Sequence, residues 1–410
     1  MLKATSPFLA LKVTHFRNFI FGAFASEVGN QMQIVAVAWQ VYDLTHNPAS
    51  LGLIGVANII PILMFSLFGG LVADRVDRKK LLLVSQTAMA VLALAFFVFT
   101  AWHMINVWMI YLLLVLIAIA QSFSMPARQA VLPHLVPKDY FLNAVSLHTL
   151  QFQTATMIGP AIAGFLIASG GVASVYLFNS LSFLFFIMAV VLVRIPLQDE
   201  DTKAAFHIDA VVEGIRFVTK TPILYTTMIL DFLATFFGTA NILMPVFAQD
   251  ILHVGPQGLG LLYSAPAIGG VVGGLILSSI HKINHQGRVI IGCVILYGLA
   301  TIGFGLSKSY PLSIGFLVLV GFGDMISTII RNTIRQMITP DHLRGRMVSI
   351  MRIFFQGGPQ LGEIEAGFLA KAIGAPAAVV IGGVGVIVIT SIVAWKSKAL
   401  RNYRGSEVSV

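Results

Sequence analysis

The sequence predicts an all-α membrane protein, with twelve transmembrane helices in two pseudo-symmetric six-helix bundles. Three observations predict it: long apolar runs, one-sided placement of basic residues, and an internal repeat. The 410 residues are 57% hydrophobic, and the mean hydropathy is +0.88. A water-soluble helix must keep a polar face, so lipid is the main solvent of a chain this apolar. A helix needs about 20 mostly apolar residues to cross the hydrocarbon core. Strands of a membrane β-barrel would alternate over about ten residues, and these runs do not alternate.

The runs fall at 16–42, 48–73, 81–102, 106–127, 140–168, 172–194, 222–249, 257–280, 289–307, 311–335, 343–371 and 375–395. With the N-terminus placed in the cytoplasm, the inner loops collect nearly all of the 26 lysines and arginines. They include the run Arg75, Arg78, Lys79 and Lys80, then Arg128, Lys138, Arg331 and Arg335. The outer side receives only Lys308 and Lys371, and Arg352 falls within a span. This bias predicts both termini in the cytoplasm of a bacterial inner membrane and an even number of spans. It also accounts for the net charge of +9 without a nucleic-acid partner. The opening stretch MLKATSPFLALKVTHFRNF is too polar for the apolar core of a signal peptide and has no small-residue cleavage site. The single cysteine, Cys293, excludes an internal disulfide and a cysteine-based metal cage.

Sliding the sequence by 203 positions lays ARQAVLPHLVP (127–137) on IRNTIRQMITP (330–340). Arg128 meets Arg331, Pro137 meets Pro340, Gly159 meets Gly362, and Gly164-Phe165-Leu166 meet Gly367-Phe368-Leu369. The repeat predicts bundles at 1–194 and 222–410. Between them, 195–221 reads as a cytoplasmic linker: a charge run, then an amphipathic helix over 205–219 lying along the inner surface. Paired repeats around a central site are the plan of many secondary transporters.

The loop after the second span reads Gly70-Leu71-Val72-Ala73-Asp74-Arg75-Val76-Asp77-Arg78-Lys79. It resembles the conserved cytoplasmic loop of the major facilitator superfamily, with Asp77 where that family usually has Gly. GNQMQIVAVAWQVYDLT (29–45), MPARQAVLPHLVPKDYFLNAVSL (125–147) and LRGRMVSI (343–350) are similar to the branch of enterobactin-type siderophore exporters and macrolide efflux proteins. The resemblance covers nearly the whole chain. It implies the major facilitator fold, alternating access, and a cytoplasmic gate formed by Gly70, Asp74, Arg75, Arg78, Lys79, Arg128 and Arg331. Ile158-Gly159-Pro160 followed by Gly164 resembles the fifth-span motif of antiporters, with Ala163 in place of its final paired Gly. Glycine and proline at these positions also permit close helix packing and a bend.

An ionisable group at mid-bilayer is costly and needs a partner or a function. Glu27 lies mid-way along span one and Asp231 mid-way along span seven, offset by 204, so the repeat pairs them across a shared centre. Asp324 leads a stripe with Thr328, Arg331 and Arg335 in span ten. Arg352, Gln356, Pro359 and Glu363 form another in span eleven; His148 shares a face with Gln151, and Glu27 with Gln31. A carboxylate that takes up and releases a proton would supply coupling; an ion pair with Arg352 or a loop arginine is the alternative role. Many drug–proton antiporters of the superfamily carry an arginine deep in span four. Here that span has only Gln121, with Arg128 at its cytoplasmic end, and Arg352 is the cation that could replace it.

The expectation is a monomeric secondary transporter that exports a small hydrophobic or amphipathic molecule of drug or siderophore type by proton antiport. Its partners would be that small molecule, protons and the bilayer. An uptake permease or facilitator of the same fold is the alternative. A non-transporting membrane receptor is the reading from another class. No G-x-x-x-x-G-K-[ST] loop, metal-ligand spacing or nucleophile motif occurs, so ATP-driven transport, an enzyme, and a metal or other cofactor are not expected.

Overall fold

A computed structural model describes residues 8–193, 213, 216–280, 283–340 and 343–405. Within its helices, the side chains at 66–71, 73–75, 344–346, 348–350, 352–353 and 356 lie outside the described set. The long helices are α1 (Thr14–Thr45), α2 (Pro48–Arg75), α3 (Arg78–Ala101) and α4 (Val107–Val131). One hydrogen-bonded run, Phe141–Leu192, is divided at Gly171 into α5 (141–170) and α6 (172–192). Then come α7 (Pro222–Gly238), α8 (Gly255–Ser278), α9 (Gln286–Leu306), α10 (Tyr310–Ile338), α11 (Arg344–Ile373) and α12 (Ala375–Lys396). Nine segments among the described residues are long and apolar enough to cross a membrane; the α5–α6 run counts as one. α1 and α11 are not among the nine, and they are the helices that carry Glu27 and Glu363. Of the linker helix expected over 205–219, only residues 213 and 216–219 fall within the described set, and all are helical.

Helix ends follow local chemistry. Asp77 caps α3 by accepting from the backbone N–H groups of Lys79 (2.8 Å) and Lys80 (3.3 Å). Asn106 caps α4 through Met109 N–H at 3.0 Å. α7, α8, α10 and α12 each start with a proline in the first turn, where its missing N–H leaves no bond unmade. The α5–α6 break is a glycine conformation: Gly171 has φ 75° and ψ 171°, backbone space that other residues rarely enter.

Span seven departs from the expected single helix over 222–249. α7 stops at Gly238, and short turns follow at Asn241–Leu243, Met244–Val246 and, as a π-helix, Phe247–Ile251. Thr239 leaves helical geometry (φ −73°, ψ 98°), and Pro245, lacking the N–H that would bond to Asn241, keeps the following turns from continuing α7. Gly238, Thr239 and Asn241 interrupt the apolar run only briefly, so the segment reads as one span by overall hydropathy.

The chain forms two compact units. The first comprises Met1–Thr45, Ala57–Ala205 and Gly255–Gly260; the second comprises His46–Val56, Phe206–Val254 and Leu261–Val410. Relative to the ranges read from sequence, two short segments, 46–56 and 255–260, change sides.

In the first unit, Phe16, Phe19, Ile20, Phe186 and Val190 are fully or almost fully buried, with the Phe19 and Phe186 rings edge-to-face at 5.4 Å. Apolar packing gains little specificity where lipid is equally apolar, so small residues and polar contacts fix the helices. Gly159 of α5 sits against Gln31 and Val28 of α1 so closely that a side chain there would overlap Gln31. Gly164 meets the backbone of Pro256 and Gly260 in the same way. Pro160 lies inside α5, but non-helical backbone in this run occurs at Gly171. Gly159 thus forms a close crossing, and the backbone of this run leaves helical geometry eleven residues after Pro160, at Gly171. Gln40 accepts from Tyr176 of α6 (2.7 Å) and donates to Thr100 of α3 (3.1 Å); Gln33 accepts from Asn179.

In the second unit, Leu224, Met228 and Leu230 of α7 pack with Ile290 of α9, Ile330 and Ile334 of α10, and Val386 of α12. This core surrounds the charged cluster described next.

Candidate functional site

Each unit holds one carboxylate–arginine pair related by the repeat. In the first unit, Glu27 on α1 faces Arg128 in the last turn of α4, with Oε2 to Nη1 at 3.8 Å. Gln31, one turn along α1, donates from Nε2 to Glu27 Oε1 at 3.1 Å. The Arg128 guanidinium lies over the Phe186 ring, 4.5 Å from its centroid, a contact that favours a cation away from water. His148 of α5 is within electrostatic reach of Arg128, and Gln151 on the same helix is half-buried. The Gly159 crossing holds Gln31 in place, because α5 packs directly on its Cβ. Sequence reasoning passed over Ser26, which is fully buried beside Glu27 with its hydroxyl unpartnered.

In the second unit, Asp231 on α7 is gripped by two arginines one turn apart on α10. Arg331 Nη2 lies 2.7 Å from Asp231 Oδ1, and Arg335 Nη2 lies 3.2 Å from Oδ2. Arg335 also donates to Thr227 O (3.1 Å) and Asn332 Oδ1 (3.2 Å), and Arg331 to Thr328 Oγ1 (2.9 Å). Both arginines are almost fully buried. Asp324, two turns before Arg331, is 3.8 Å from it and receives a long hydrogen bond from Thr328 at 3.4 Å.

The repeat partners Glu27 and Asp231 are thus matched by the repeat partners Arg128 and Arg331. Sequence analysis placed those two arginines with the cytoplasmic gate; the structure brings them to the membrane carboxylates. α4 continues past 127 to Val131, so Arg128 sits on a helix within reach of α1, while Arg331, already inside span ten by sequence, faces α7. Arg352 and Gln356 have side chains outside the described residues.

Of the gate motif, the side chains of Gly70, Asp74 and Arg75 lie outside the described residues. Arg78 Nη1 bonds His134 Nε2 (3.0 Å) and reaches Ala130 O (3.5 Å). Lys79 Nζ donates to Val191 O (2.9 Å) and Val193 O (2.7 Å) at the end of α6. Cations on the last carbonyls of a helix satisfy its unpaired acceptors and complement its dipole. These contacts tie α3 to α4 and α6 within the first unit. Asp77, the departure from the family pattern, starts α3 as its N-cap.

A cavity of about 200 Å³ opens beside the Asp231 cluster in the second unit. Asp324 and Glu363 line it, with Thr235, Thr239, Asn241 and Tyr297. The α7 break makes part of this wall, since Thr239 and Asn241 lie where the helix stops. The Tyr297 ring packs directly on Gly238, where any larger residue would displace it. Glu363 and Asp324 were legible as membrane carboxylates, but the α7 break and Tyr297 left no signal in the apolar pattern.

The sequence profile of the transmembrane secretion effector family matches residues 5–407. The chain belongs to that family of major facilitator transporters. This transporter is 30% identical over 373 residues to the multidrug efflux pump Tap of Mycolicibacterium fortuitum, covering 87% of this chain and 89% of Tap. It is 26% identical over 399 residues to the enterobactin exporter EntS of Salmonella choleraesuis (strain SC-B67), covering 97% and 96%. The solved nucleoside transporter NupG superposes with a TM-score of 0.74 at 13% identity, covering 94% of this chain and all of that one. At that identity the match speaks for the fold alone, and the fold is the major facilitator fold expected from the gate motif and the repeat.

Proposed function

We propose that the protein is a secondary transporter of a bacterial inner membrane that exports small hydrophobic or amphipathic molecules, of drug or siderophore type, by proton antiport. The proposal includes twelve spans, alternating access, a monomer, and both termini in the cytoplasm. Family membership over residues 5–407 and likeness to two exporters support export. The observation that carries proton coupling is the asymmetry between the two repeat-related pairs.

Glu27 has one guanidinium at 3.8 Å and one amide hydrogen bond. Protonating it loosens one long ion pair and leaves Arg128 against the Phe186 ring. Asp231 has two guanidiniums at 2.7 and 3.2 Å. Protonating it would strand two buried arginines, and leaving a buried charge unmatched costs about 3–5 kcal/mol. Glu27 therefore serves as the proton carrier, with Asp324 and Glu363 available beside the second-unit cavity. Asp231 serves as the fixed anion that holds α7 to α10. Gln31 and His148 frame the Glu27 site, and Arg78 and Lys79 brace the cytoplasmic turn.

Everted membrane vesicles under an imposed pH gradient test the export reading. A panel of siderophores, macrolides and cationic dyes is added, and accumulation in the lumen is followed. Accumulation of at least one class that collapses with the gradient supports the proposal. Accumulation that is indifferent to the gradient favours a facilitator of the same fold, and none at all overturns export of these classes.

A further inference from the structure

The second-unit cavity has a chemical character that proton coupling alone does not use. Among the described residues no lysine, arginine or histidine lines it, whereas Asp324 and Glu363 both do. Arg331 and Arg335, on the same helix as Asp324, are committed to Asp231. Asp324 touches Arg331 only at 3.8 Å, and half of its side-chain surface is open. Glu363 forms no ion pair among the described residues. Side-chain oxygens of Thr235, Thr239 and Asn241 stand in the same wall, with the Tyr297 ring beside them. Two carboxylates and several neutral oxygens are acceptors looking for donors, and an aromatic ring adds a surface suited to a cation. Drug-sized ligand pockets run to about 300–1,000 Å³, so a cavity of about 200 Å³ holds one end of such a molecule.

We propose that this cavity is a subsite for the protonated amine of an amphipathic substrate, whose apolar body lies outside it. The assignment rests on the exporter reading and narrows its substrate class to amines. An anionic end group would meet the two carboxylates, with no counter-cation among the described lining residues, which selects against it.

The test is equilibrium binding to the purified full chain in lipid nanodiscs, with three probes sharing one aromatic body: phenethylamine, phenylacetamide and phenylacetate. Phenethylamine is expected to bind at least about tenfold more tightly than phenylacetamide, as a charge-assisted hydrogen bond provides. Phenylacetate is expected to bind most weakly. Glu363→Gln should erase the amine preference and Glu363→Asp should keep most of it; Asp324→Asn provides a second neutralisation where the first does not fold. Equal binding of amine and amide, tightest binding of phenylacetate, or an unchanged ratio in the neutralised variants overturns the subsite. Ethidium accumulation in everted vesicles is read separately. Accumulation without amine preference overturns the subsite and leaves export standing; amine preference without accumulation of ethidium or of any other member of the panel supports the subsite and overturns export.

Discussion

Glu27 and Asp231 occupy equivalent places in the repeat, yet their surroundings give them different work. Glu27→Gln keeps the hydrogen-bonding shape, and Gln31 can still reach it. This variant is expected to fold with a melting temperature near wild type while losing gradient-driven transport by tenfold or more. Wild-type transport in this variant would remove Glu27 from the coupling mechanism. Asp231→Asn leaves Arg331 and Arg335 buried with one neutral partner between them. It is expected to lower stability by about 3 kcal/mol or more, read as a large drop in melting temperature of the detergent-solubilised protein. A second change that removes the stranded charge, Arg335→Gln in the same chain, should recover part of that loss. A stable single variant with normal melting would contradict the clamp. The repeat offset made the carboxylates legible as a pair. Their arginine partners were read as gate residues because a basic residue near a helix end is ordinarily a loop anchor, and only the packed helices show which way it reaches.

At the scale of helices, the α1–α5 crossing and the α3 cap carry distinct expectations. Gly159→Val places methyl groups where Gln31 and Val28 already stand. Overpacking of this kind costs about 1–3 kcal/mol, and here it also moves Gln31 relative to Glu27. Both thermal stability and transport are expected to fall. Gly315→Ala in α10, where nothing lies within 4 Å of an added Cβ, is expected to change neither. Loss in both variants alike would mean that helix propensity, not the crossing, is responsible. Asp77→Ala removes the α3 cap and should cost about 1 kcal/mol, while Asp77→Asn should retain most of it; a melting series on the three proteins decides. These elements differ in how far sequence reveals them. Most helices were legible to within a few residues, because apolar length and charge punctuation are both written locally. The stop at Gly238 was not, since Gly238, Thr239 and Asn241 are too few to divide a span read by overall hydropathy.

The whole molecule is organised by its repeat, and the repeat was the strongest signal in the sequence. It paired Glu27 with Asp231 and Arg128 with Arg331, without joining the carboxylates to the arginines. It could not anticipate that one carboxylate would receive two arginines and the other a single long contact, because that difference lies in side-chain reach. The proposed orientation, with both termini in the cytoplasm, can be checked directly. In a Cys293→Ala background, Asn402→Cys is expected to react with an impermeant maleimide in everted vesicles and not in intact cells; the reverse pattern would place the C-terminus outside. The most direct test of proton-coupled export is proton release from respiring everted vesicles, followed with a pH-gradient dye as a transported substrate is added. Wild-type protein is expected to discharge the gradient on each addition, and Glu27→Gln is expected to leave it intact. Substrate accumulation with no proton movement, or equal discharge by both proteins, would contradict the account.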